Sequence, residues 1–339
     1  MTPATGGLGG SPLASTAGQV SFTVDPWDPG YGRAFGDGPD AGALGESSAE
    51  LSLDLEMPAG RWRPVDPDPA PRLPAAVLFL DGVRRVDARV WVHGNGTEPA
   101  PGIAASFAAG LVCCDGAARV VDVRLERGLF TTARDAAGIS TPQARYPARI
   151  ARASSLGGPD QLSLALQQRL AEAELQLAQV FRARGPGADD LLVVDGPLRG
   201  RTHLDAAVGY IKTHHASYLP AAQAAVVGSL AAGQRTPVFT MGTSWQRNSW
   251  YLRLPGSPDV AWSGVVRIEC SADLPPAEAT ALADLTARLL PPLASQPHKD
   301  PRAPQNLVPI GGLERELRRR LGDRQLLYRG LRAAARLGQ

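Results

Sequence analysis

The chain has 339 residues, 44% of them apolar, which suits one large globular domain or two modest ones with a sizeable core. Its formal charge of +2 excludes a polycation, so any nucleic-acid surface must be local. Three cysteines, two of them adjacent as Cys113 and Cys114, form neither a disulfide framework nor a zinc motif and fit a reducing compartment. No apolar run is long enough to span a bilayer and the amino terminus carries no basic-then-apolar signal, so a cytoplasmic protein without membrane contact is expected.

Residues 1–18 are rich in Gly, Ser, Thr and Pro and read as disordered. Residues 19–74 are rich in Gly, Pro and Asp and read as an irregular arm, with weak alternation at Val20 to Val24 and a short strand near Glu50 to Met57. The patterned domain begins at residue 75 and runs to 339.

Ala76 to Gly82, AVLFLDG, is an apolar strand ending in Asp81-Gly82. Val83 to His93 alternates with period two and can be the same strand bent at Gly82. Ile103 to Cys114 and Ala118 to Phe130 complete an antiparallel meander. In the last of these Asp122, Arg124 and Glu126 share one face, read as its solvated side.

Gln161 to Arg184 is a helix with Leu162, Leu166, Leu170, Ala173, Leu177, Val180 and Phe181 in one stripe. Glu172 projects away from that stripe. Glu174 lies at its edge, where a carboxylate needs a partner, an arginine, water or a metal.

Leu191 to Val194 is a second buried strand, ending in Asp195-Gly196-Pro197. Alone, Asp-Gly-Pro is a turn. A second strand ending in Asp-Gly within one domain is what a site needs when two carboxylates share a divalent cation, Mn²⁺ or Mg²⁺, that can activate water for phosphodiester cleavage. Lys212 follows Asp195 at a distance that lets it return to the same edge and hold a phosphate or the developing charge; the alternative is an exposed lysine at a helix start. His214 and His215, being adjacent, point apart and face DNA at best.

A helix over Leu219 to Ala231, strands at Arg235 to Gly242, Ser249 to Pro255 and Val260 to Ser271, and a helix at Ala277 to Leu290 follow. A tail helix from Leu313 to Leu337 carries eight arginines, Arg318 and Arg319 among them. It reads as a solvated face, a dimer contact or a phosphate track. The expected fold is α/β, a ribonuclease H-like mixed sheet flanked by helices, with a β extension and C-terminal helices.

The segments FLDGVRR (79–85), VVDGPLRGR (193–201), VGYIKTHHASYLP (208–220) and GQRTPVF (233–239), together with the tail HKDPRAPQNLVPIGGLERELRRRLGD (298–323), resemble the bacterial branch of the NurA domain family over residues 75–335. The resemblance implies a metal-dependent DNA nuclease of ribonuclease H-like fold, a dimer that works with a HerA-type hexameric helicase in DNA end resection. Residue by residue it implies metal ligands at Asp81 and Asp195 and at a helical Glu, with Glu174 the candidate and Glu172 its rival. The family's late His has no counterpart in PQNLVPIGG, and His298 is the nearest substitute. Two alternatives stay open: a non-catalytic adaptor docked on the translocase, and a different ribonuclease H-like nuclease.

Overall fold

The computed structural model describes residues 49–93, 98–152, 158–183, 189–214, 218–256 and 262–337. The expected disorder of residues 1–18 and the weak alternation at Val20 to Val24 lie outside the described residues.

In chain order the elements are strands β1 (Glu50–Ser52), β2 (Ala76–Val92), β3 (Ala100–Cys114), β4 (Ala118–Thr131), β5 (Ile139–Ser140), β6 (Arg145–Tyr146) and β7 (Ala148–Ile150), then helix α1 (Gly158–Ala183). Strands β8 (Asp190–Asp195) and β9 (Ala207–Ile211) precede helix α2 (Ala221–Ser229), and β10 (Phe239–Gly242), β11 (Gln246–Arg253) and β12 (Val265–Ser271) follow it. Helices α3 (Pro276–Leu289), α4 (Val308–Arg320) and α5 (Arg324–Leu337) close the chain.

Ten strands form one mixed sheet in the order β1-β10-β11-β12-β9-β8-β2-β3-β4-β7. Strands β2, β3 and β4 are an antiparallel meander, and β2 is one continuous strand through Gly82. From β2 the sheet continues outward through β8 and then β9, both parallel to it. Antiparallel β12, β11, β10 and β1 extend that side. The last of these brings the arm into the sheet, and Glu56 anchors it by pairing with the buried Arg235.

The alternation of strand side chains divides the interior into two layers. Val77, Phe79 and Val83 of β2 and Leu191 and Val193 of β8 pack with α3 and with Leu313 and Leu317 of α4. Leu78 and Leu80 of β2 and Leu192 and Val194 of β8 face the other way, onto Leu162, Leu166, Leu170, Ala173 and Leu177 of α1. Burial on both faces is why these two strands read as continuous apolar runs rather than alternating ones.

Two elements differ from the sequence expectation. VGYI belongs to strand β9, which the sequence expectation does not include; a run this short has too few positions to display a period. The single tail helix is two helices, because Gly322 takes a φ of 85° between them, a left-handed conformation that stops α4. Among the described residues no helix is long and apolar enough to cross a membrane.

Candidate metal centre

The parallel register between β2 and β8 runs from Ala76 beside Asp190 to Leu80 beside Val194. The next residue on each strand is an aspartate, so Asp81 and Asp195 lie side by side. Both share the parity of Phe79 and Val193 and therefore belong to the sheet face covered by α3 and α4.

Gly110 of β3 is the register partner of Asp81. A β-carbon there would come within 2.8 Å of Leu313 and of Leu317, so the glycine is what lets α4 settle onto the sheet at this point. Glu314, between those two leucines, is carried in with them. Carboxylate oxygens of Asp81, Asp195 and Glu314 lie within 4.8 Å of one another.

The three acids are held differently. Asp81 is 8% exposed; its Oδ1 accepts the Gly82 amide at 2.7 Å, while its buried Oδ2 has no hydrogen-bond partner among the described residues. Burial, and then the neighbouring Asp195, raise its pKa well above the ordinary carboxylate value, against the pull of Lys212. Asp195 accepts the Lys212 ammonium at 2.6 Å, and Lys212 also donates to Asn306 Oδ1 at 2.9 Å. Asn306 donates in turn to Asp300 at 2.6 Å. Glu314 takes a two-pronged bond from Arg302, at 2.9 and 2.6 Å, with Arg318 at 3.2 Å. The loop that supplies Arg302 and Asn306 is tied to the sheet by Tyr210, whose buried hydroxyl donates to the Gln305 carbonyl at 2.6 Å.

An all-oxygen donor set of three carboxylates suits a hard divalent cation, Mg²⁺ or Mn²⁺. The unpartnered Asp81 Oδ2 fits that use. A buried carboxylate oxygen without a donor is costly, and a cation is the partner that removes the cost.

Asp81, Asp195 and Lys212 of the sequence expectation are thus brought together. Glu174 is not with them. It sits on α1, across the sheet, where it pairs with the buried Arg201. Its other oxygen lies against Gly82, where a β-carbon would collide with it and with Leu170. Burial raises the Glu174 pKa and Arg201 opposes the rise. The side-chain parity that puts both aspartates toward α4 is what separates them from this glutamate. Glu172 is exposed and pairs with Arg169 at 2.7 Å.

His214 does not face solvent or DNA. It is 3% exposed, with a ring nitrogen 3.1 Å from the Val265 carbonyl and its ring packed against both Tyr251 and Trp262, which also touch each other. His215 lies outside the described residues. His298 is exposed in the loop ahead of α4 and is not part of the cluster. Arg318 is turned onto Glu314 and Arg319 onto Glu316 at 2.8 Å, so a phosphate contact there has to compete with a helical ion pair.

Glu314, Arg302 and Asn306 are the site residues that sequence reasoning missed. The signal for Glu314 was present: Ile310, Leu313, Leu317 and Leu321 make an apolar stripe, and Glu314 stands inside it, one turn from Ile310 and from Leu317. This is the argument that singled out Glu174. No family model matches this chain, and no curated protein matches it.

Proposed function

We propose that this protein is a metal-dependent deoxyribonuclease of the NurA type, hydrolysing phosphodiester bonds at DNA ends. The observation that carries the reading is the buried, unpartnered Asp81 Oδ2 in a cluster with the carboxylates of Asp195 and Glu314. The strand order β4-β3-β2-β8-β9, an antiparallel meander joined to two strands parallel to its first, supports a ribonuclease H-like sheet, with one acid inside the first strand of that set and one at the end of the fourth.

In this reading Asp81, Asp195 and Glu314 hold the cation, with Glu314 in the place expected of Glu174. When bound, a divalent ion supplies the charge that activates water and stabilises the leaving oxygen. Arg302 fixes the direction of Glu314, and Asn306 ties Lys212 and Asp300 together on the loop beside the cluster. Homodimerisation and partnership with a HerA-type hexameric translocase belong to the same proposal and rest on the sequence resemblance alone, while a cytoplasmic setting rests on the cysteine usage and the lack of a signal pattern in the sequence.

The test is cleavage of end-labelled DNA with Mn²⁺ by the wild type and by Asp195→Asn, at matched folding. Metal-stimulated cleavage lost in the variant is the expected result; activity retained by a clean preparation of the variant rejects the assignment.

A second reading has its own supporting observation. Lys212 and Arg302 already neutralise two of the three carboxylates, as they would in a protein that kept the fold only to dock on a translocase. Absence of Mn²⁺-dependent cleavage by the wild type on single- and double-stranded DNA would favour that adaptor.

A further inference from the structure

Of the 35 basic residues in the chain, only Lys212 and Lys299 are lysines. Arginine is therefore the default cation of this sequence, and it makes the ion pairs at Glu56, Glu126, Glu174, Glu269 and Glu314. The exception stands at the cluster. An arginine brings a planar fork of five donors, whereas an ammonium is a compact point charge on a flexible stem. A compact, movable cation 2.6 Å from Asp195 resembles a bound metal ion more closely than a guanidinium does.

The position of Lys212 supports the comparison. It directly follows β9, whose Tyr210 is the register partner of Asp195, so its stem reaches the carboxylate from the neighbouring strand end. The ammonium has a second anchor, the Asn306 side-chain oxygen at 2.9 Å, which does not depend on Asp195. Asn306 is fully buried and is held by Asp300 at 2.6 Å, so that anchor is fixed. Lys212 itself is only partly enclosed, with 12% of its side chain exposed.

We propose that Lys212 is the internal counter-cation of the metal centre, a positioning residue that occupies Asp195 until a divalent ion takes its place. This rests on the metal-binding reading given above. When the ion binds, Asp195 exchanges one positive partner for another, and the ammonium stays with Asn306 at the rim of the site. Lys212 thereby keeps the closely spaced acids from repelling one another in the metal-free protein, and it lowers the affinity for the ion by competing for a shared ligand.

The test is titration of Mn²⁺ into the full-length wild type, Lys212→Met and Lys212→Arg, with bound ion counted by electron paramagnetic resonance and folding checked by circular dichroism. Removing a competing charge at contact distance should tighten Mn²⁺ binding about tenfold or more in Lys212→Met. Lys212→Arg, which retains the charge, should bind no more tightly than wild type. Equal or weaker binding by a folded Lys212→Met overturns the proposal while leaving the metal centre standing. No bound Mn²⁺ in wild type or in either variant overturns the metal reading, and this proposal with it.

Discussion

Gly110 stands directly across from Asp81 in the pairing of β2 with β3, and the space left by its missing side chain is filled by Leu313 and Leu317 of α4. The third acid of the cluster reaches the first two because of a residue that carries no chemistry. Gly110→Ala should therefore act at a distance. Its methyl would meet leucine carbons at 2.8 Å, and the overpacking should destabilise the fold by about 1–3 kcal/mol. It should also weaken Mn²⁺ binding, because Glu314 is displaced together with its helix. Calorimetry and metal titration on one sample read both effects; unchanged binding in a destabilised variant would separate α4 from the site.

Glu174 and Glu314 offer a direct contrast, since each is a buried helical glutamate held by arginine, on opposite faces of one sheet. Glu174→Gln should retain cleavage per folded molecule. Its cost is stability, on the order of 3–5 kcal/mol, because Arg201 loses the partner of a buried pair. Glu314→Gln should lose more activity than the roughly 10–100-fold typical of an outer-shell partner. Denaturant melts and initial rates decide the matter, and the opposite ranking of the two rates would restore the α1 glutamate as the ligand.

The Asp81 carboxyl links metal binding to pH. Its pKa is raised above the ordinary value of 3.8, chiefly by burial and then by Asp195, with Glu314 and Glu174 adding to the rise and Lys212 opposing it. The folded protein then holds a proton that the unfolded chain releases at lower pH. That contribution to stability is complete below about pH 4 and disappears as pH rises through the raised folded value. In chelator, the wild type should therefore lose stability relative to Asp81→Asn as the pH is increased from 4. Mn²⁺ must displace the same proton, so its affinity should increase with pH across that window. A stability difference between the two proteins that is independent of pH would contradict this.

Cys270 lies fully buried beside Glu269, and burial followed by that charge pushes its thiol pKa up to about 12. It should resist alkylation in the native protein at pH 8 and react only on unfolding. Rapid native labelling at Cys270, located by mass spectrometry, would show that the sheet opens at β12.

The sequence disclosed what depends on local pattern. The two Asp-Gly pairs marked Asp81 and Asp195 because a buried apolar run that stops at an acid is visible without a fold, although strand β2 itself continues past Asp81 to Val92. The long α1 stripe fixed a helix for the same reason. What stayed hidden depends on which face of the sheet a helix covers. Glu174 and Glu314 are each an acid embedded in an apolar stripe, and nothing in either stripe says which layer it joins. The odd-numbered parity of Asp81 and Asp195 decides it only once α4 is known to lie on that side. Arg302 and Asn306 come from an irregular loop, whose side chains follow no period. Lys212 was linked to the site by its distance along the chain from Asp195, although strand β9, which delivers it, is too short to show a pattern.

The central claim is that Asp81, Asp195 and Glu314 hold one site for a divalent ion. Anomalous scattering from crystals soaked in Mn²⁺ tests it most directly. A manganese peak within ligand distance of oxygens from all three carboxylates, about 2–2.6 Å for hard cations, with the Lys212 ammonium withdrawn from Asp195, is the expected result. Lack of any peak there at millimolar Mn²⁺, or a peak at Glu174 on the opposite face of the sheet, would contradict it.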